Sequence, residues 1–147
     1  MEDLLLALGD LPLHPLVVHF AVILFPISLL VLIAVVMVAR FRSKHLLKAI
    51  VAVALTTPFV FLAQQSGEAL SEVLYEPEPH AEYGEMLMPL ALATLLVAVV
   101  FWWSLRGPKI FSQLLAVAVI SLAFAGIAMT VVVGHSGAAA TWSGVLP

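Results

Sequence analysis

The chain has 147 residues, of which 63% are hydrophobic and only 10% are charged. A soluble domain is roughly half apolar and about a quarter charged, so this composition excludes an ordinary soluble globule and a disordered chain. The net charge of −3 excludes a nucleic-acid-binding protein, which needs a basic surface. Because the sequence has no cysteine, disulfides, thiolate metal sites and c-type haem attachment are excluded as well. We therefore expect a single domain embedded in a membrane.

Four apolar stretches predict four membrane-spanning helices in one domain over 1–147. The stretches cover 16–39, 49–63, 86–103 and 110–133. A helix needs about 20 apolar residues to cross a bilayer, so the second helix must continue past Gln65 toward Tyr75. The predicted helices are 15–39, 49–75, 81–105 and 109–135. Since the connections are short, the sequence favours an all-α fold, an antiparallel four-helix transmembrane bundle.

The basic and the acidic residues lie in different segments of the chain. All six basic residues lie in the first and third connections, at Arg40, Arg42, Lys44, Lys48, Arg106 and Lys109. The nine acidic residues lie elsewhere. Basic residues in short loops remain cytoplasmic. We therefore expect a multi-pass plasma-membrane protein with the basic connections inside and both termini and the middle connection outside.

Four of the five histidines map to the predicted outer ends of the helices: His14, His19, His80 and His135. Pro15 suits the first turn of a helix, so His14 should cap the first helix and His19 should lie about one turn inside it. On the second helix, Glu68 belongs to a polar stripe with four-residue spacing and lies near the same depth. Since a bundle brings its helix ends together, we expect His14, His19, Glu68, His80 and His135 to converge on a common pocket.

This set of side chains has more than one chemical interpretation. Haem b would take His19 and His135 as axial ligands, with His14 and His80 around the propionates. Zinc or copper would be held by three or more of the five side chains. A protonatable or structural polar cluster is the third possibility, because a single histidine at a lipid–water interface is common.

Four short motifs resemble those of a known family. They are LPLHPLVVHF at 11–20, QSGE at 65–68, HAEYGE at 80–85 and GHSG at 134–137. In this combination, the chain resembles the DUF2231 predicted membrane proteins over nearly its whole length, and most closely the short actinobacterial type. Longer relatives are joined to Rieske or c-type cytochrome modules, so the resemblance implies a redox setting.

The sequence thus predicts a small integral membrane protein that binds haem b, or another metal, at the outer ends of its helices. We expect it to be a redox carrier rather than a hydrolase. It would pass electrons to or from a quinone or a respiratory partner in the bilayer, as a single chain or a homo-oligomer. The alternatives are a zinc- or copper-binding membrane protein and a non-enzymatic accessory subunit of a larger complex.

Overall fold

The structure, a computed structural model, describes residues 7–8, 11–73 and 78–142. Two short antiparallel strands, β1 (Ala7–Leu8) and β2 (Leu11–Pro12), come first. The helices that follow are α1 (Leu13–Met37), α2 (Ala39–Ser71), α3 (Glu78–Glu85), α4 (Leu87–Ser104) and α5 (Lys109–Trp142). A turn at Met86 separates α3 from α4, and these two helices together form the third of four spans.

All four spans are apolar on the outside of the bundle as well as within it. On three different helices, Leu55, Leu96 and Val131 are 67%, 65% and 66% exposed. A helix at the surface of a soluble protein would carry polar residues at such positions. The outward-facing apolar side chains therefore require lipid around the bundle, and the predicted all-α transmembrane fold is confirmed.

The helices are arranged as a square made of two hairpins. The first hairpin consists of α1 and α2, and the second consists of α3, α4 and α5. Across the square, α1 packs against α5, and α2 packs against α4. The core between them contains Phe25, Leu29 and Phe101, which are fully buried. We name the two ends of the bundle the histidine end, where α1 and α3 begin, and the basic end, where the two hairpins turn.

Buried hydroxyl groups within the spans are bonded to backbone or to each other. Ser28 donates to the carbonyl of Phe25 at 2.7 Å, and its oxygen lies 3.0 Å from the Thr56 hydroxyl on α2. Thr94 and Thr130 donate to carbonyls of their own helices. Among the described residues, no buried side-chain nitrogen or oxygen lacks a hydrogen bond. This is the condition that an apolar bilayer core imposes on polar groups.

The helix boundaries differ from the predicted ones most clearly in α2. The basic stretch 40–48 is the first part of this helix rather than a loop, and within it Leu46 is buried. The turn before it is so short that Arg42 reaches back and donates from Nε to the carbonyl of Val36 at 2.6 Å. Basic side chains commonly satisfy the last carbonyls of a helix in this way.

At the histidine end, α2 and α5 extend beyond their apolar stretches. The predicted continuation of α2 past Gln65 is confirmed, since the helix runs to Ser71, whereas Tyr75 lies outside the described residues. The last helix continues to Trp142 instead of ending at 135. Gly134 and Gly137 do not terminate it, because the alanines that follow favour helix.

Candidate functional site

His14 lies in the first turn of α1 and contacts the last turns of α2. Its Nδ1 donates to the carbonyl of Ala63 at 2.9 Å and lies 3.3 Å from the Ser66 hydroxyl. Gly67 allows this approach, since a Cβ atom at that position would lie only 3.0 Å from Cε1 of His14. We call Ser66 and Gly67, both buried, the first Ser–Gly pair.

His80 makes the corresponding contact in the second hairpin. It lies on α3, and its Nδ1 is 2.9 Å from the hydroxyl oxygen of Ser136 on α5. Gly137 leaves room for the ring, because a Cβ atom there would lie 2.9 Å from Cε1 of His80. Ser136 and Gly137 form the second Ser–Gly pair. Each hairpin thus holds one half-buried imidazole at the histidine end.

The two imidazoles meet between the hairpins. The ring centroids of His14 and His80 are 6.4 Å apart, and the ring planes are inclined by 77°. This histidine pair lies where the first hairpin meets the second at this end of the bundle.

The hydrogen bond to a carbonyl determines which nitrogen of His14 carries the proton. A carbonyl can only accept, so Nδ1 of neutral His14 must carry a hydrogen, and its basic nitrogen is Nε2. In the second hairpin, the Ser136 hydroxyl lies 2.9 Å from Nδ1 of His80 and 3.0 Å from the carbonyl of Val133, and it can donate its hydrogen to either. Imidazoles that bind metals are typically oriented in the manner of His14, through a hydrogen bond from the other nitrogen.

The structure corrects the arrangement expected for His19 and His135. Both are exposed, and Nδ1 of His19 is bonded to the carbonyl of Pro15 in its own helix. His19 follows His14 by five residues, which turns it about 140° around the helix axis, away from the face that carries His14. His135 is likewise turned about 100° from Ser136, which faces the histidine pair. The rings of His19 and His135 therefore lie outside the histidine pair, which His14 and His80 form.

Glu68 also differs from the prediction. It is exposed, and its carboxylate accepts hydrogen bonds from Gln64 at 3.1 Å and Gln65 at 2.8 Å. In the part of the chain that the structure describes, no three His, Asp or Glu side chains are grouped so that they could hold a metal ion. The expected convergence of His14, His19, Glu68, His80 and His135 is not found there, because three of the five face outward.

The two Ser–Gly pairs were not among the site residues predicted from the sequence. The motifs at 65–68 and 134–137 contain them, but the prediction took only Glu68 and His135 from these motifs. A signal was present in the sequence, since a serine followed by glycine lies near the predicted end of each hairpin, and a histidine lies near its predicted start.

A four-span helical bundle that is apolar on its outer surface defines a multi-pass membrane protein. The chain belongs to the DUF2231 family of predicted membrane proteins, whose sequence model matches residues 10–146. No curated protein and no solved structure matches it.

Proposed function

We propose that this protein is a plasma-membrane redox carrier that binds haem b between His14 and His80. The separation of the two rings is the observation that supports this function. Two metal–nitrogen bonds of about 2 Å, extended by the half-width of each ring, place imidazole centroids about 6 Å apart. The centroids of His14 and His80 are 6.4 Å apart. The distance between the two rings is therefore compatible with one metal centre held by both imidazoles.

The number of ligands favours haem over a zinc site. Protein-bound zinc takes three or four side chains. The described residues offer no group of three, whereas haem needs only axial ligands from the protein and histidine is a common one. The hydrogen bond from Nδ1 of His14 to the carbonyl of Ala63 supports the same role, because a bond of this kind orients the ring and strengthens its other nitrogen as a ligand.

When bound, haem would supply a centre that accepts and releases one electron. The residues of this chain would hold the haem through His14 and His80, and the half-buried position of these rings would influence its potential. A quinone or a respiratory complex in the same bilayer is the partner class that we propose, since all four outer faces lie in lipid.

The absorption spectrum of the detergent-purified protein tests this proposal. We expect about one haem b per chain. When dithionite is added, the Soret band should shift and the bands at longer wavelength should sharpen. A protein that carries no haem but holds one copper or zinc ion per chain by elemental analysis would replace haem with that ion. A protein with neither would contradict the proposal and leave the histidine pair as a link between the hairpins.

The charge distribution supports an orientation with the basic end in the cytoplasm. Because the chain has no cysteine, single cysteines can be introduced and labelled without background. In intact cells, a membrane-impermeant maleimide should label Glu72→Cys, near the end of α2 at the histidine end. Lys44→Cys, at the basic end, should react only after the membrane is made permeable. Labelling of Lys44→Cys in intact cells would show the opposite orientation.

A further inference from the structure

The basic end of the bundle is strongly positive. All six lysines and arginines of the chain lie there, in the first part of α2, in the turn after α4 and at the start of α5. The acidic residues in the described part of the chain lie near the end of α2 and in α3, both at the histidine end. A partner that complements the basic end in charge is therefore an anion.

One of the arginines at this end, Arg42, is directed into the bundle. It is half-buried, its Nε donates to the carbonyl of Val36, and its guanidinium carbon lies 5.8 Å from the centroid of the Phe101 ring on α4. Phe101 is itself fully buried. The charge of Arg42 is therefore part of the packing between the hairpins rather than of the outer surface.

Arg40 and Arg106, in contrast, are exposed, and each lies over an aromatic ring. The guanidinium carbon of Arg40 is 5.1 Å from the ring centroid of Phe41, and that of Arg106 is 5.2 Å from the ring centroid of Trp102. A cation–π contact restrains the position of a guanidinium, and its planar set of N–H groups matches the oxygens of a phosphate. Both arginines can thus bind a phosphate group at the surface.

Arg106 also borders a groove where α4 turns into α5. The groove has a volume of about 370 Å³, and its other lining residues include Val100, Trp103, Ser104, Pro108 and Phe111. The large rings of Trp103 and Phe111 are 69% and 50% exposed. Tryptophan is typical of the boundary between lipid and water. The groove therefore combines apolar walls with a positive charge, which complements an amphiphile that has an anionic head.

We infer that this groove, the α4–α5 groove, is a binding site for an anionic phospholipid. The lipid phosphate accepts hydrogen bonds from Arg106, and an acyl chain lies along Trp103 and Phe111. Basic pockets at the ends of membrane helices commonly hold anionic headgroups in this way. A free phosphate ion would contact the arginine but leave the apolar walls uncovered, so the groove fits a lipid better. The site lies at the opposite end of the bundle from the histidine pair and does not depend on the proposed function.

Tryptophan quenching in vesicles tests this inference with the full-length protein. In a Trp142→Phe background, the emission comes from Trp102 and Trp103 alone. The vesicles consist of phosphatidylcholine and phosphatidylglycerol, and one of the two lipids carries bromine on its acyl chains, which quenches tryptophan on contact. We expect these tryptophans to select phosphatidylglycerol over phosphatidylcholine by about fivefold, the effect of one basic residue at an anionic headgroup. Equal quenching by the two brominated lipids would overturn the inference.

Two arginine variants distinguish a specific site from the general charge of the basic end. Arg106→Gln should abolish the preference for phosphatidylglycerol, and Arg106→Lys should retain part of it because the charge remains. Arg40→Gln removes an exposed arginine that also lies over a ring, but it should leave the preference unchanged. Equal losses in Arg106→Gln and Arg40→Gln would show that the whole basic end attracts the lipid, without a site in the groove.

Soluble phosphate distinguishes the two sources of the anion. Inorganic phosphate added at millimolar concentration should leave the quenching by brominated phosphatidylglycerol unchanged, because it does not occupy the apolar walls of the groove. Relief of the quenching by inorganic phosphate would show that Arg106 binds the free ion in preference to the lipid, and this result would overturn the inference.

Discussion

Replacing Gly137 by alanine should displace His80 and lower the free energy of unfolding by about 1–3 kcal/mol, the usual cost of overpacking a close contact. The added Cβ atom would lie 2.9 Å from Cε1 of His80 and 3.4 Å from both ring nitrogens. The ring can move aside only by giving up its hydrogen bond to Ser136. Gly67→Ala should have an effect of similar size, because its Cβ atom would lie 3.0 Å from Cε1 of His14.

Gly134→Ala is the matched control for this prediction. Gly134 lies in the same helix as Gly137, but a Cβ atom there would have nothing within 4 Å. Alanine should be neutral or stabilising at that position, since it favours helix over glycine by up to about 1 kcal/mol. Denaturant unfolding of the purified variants in one detergent makes the comparison. Equal stability of Gly137→Ala and Gly134→Ala would show that the second Ser–Gly pair does not hold the imidazole.

The second large effect is expected for the histidine pair itself. His14→Ala and His80→Ala should each abolish stable haem binding, because each removes one of the two histidines that we propose as haem ligands. Loss of a hydrogen-bond partner behind a ligand typically weakens metal binding by roughly 10–100-fold, and loss of the ligand should cost more. Haem per chain, measured after purification and a wash with free imidazole, gives the result.

Three other histidines provide controls in the same measurement. His19 and His135 are exposed at the histidine end, and His45 lies at the basic end with its ring against Phe41. Alanine variants of these three should retain the haem content of the unmodified protein. Retained haem in His14→Ala and His80→Ala, with loss in His19→Ala and His135→Ala, would instead favour the axial pair expected from the sequence.

The fold could be predicted from the sequence because each span depends on local information. A long apolar run, such as the one that forms α1, must cross the bilayer as a helix. In a helix, a single segment makes all its backbone hydrogen bonds internally, which the apolar bilayer core requires. The helix boundaries were harder to predict from the sequence. The basic segment at the start of α2 is helical because Leu46 packs into the core, and this packing is a tertiary effect.

The position of the candidate site could be predicted from the sequence, but not which histidines form it. Charge separation and helix ends placed the histidines at one end of the bundle, and two of them do meet there. The rotation of each helix around its axis decides which two histidines meet. The apolar pattern of the sequence is too uniform to predict that rotation. In α1, apolar residues surround His14 and His19 alike, so the contacts of His14 with α2 decide which ring faces inward.

Electron paramagnetic resonance of the oxidised protein tests most directly whether His14 and His80 are the axial ligands of one haem. Ferric haem that is held by two histidine nitrogens is low-spin, whereas haem held by one is commonly high-spin. The proposed site predicts a low-spin signal, and its loss in both His14→Ala and His80→Ala. A high-spin signal, or a protein purified without haem, would contradict it.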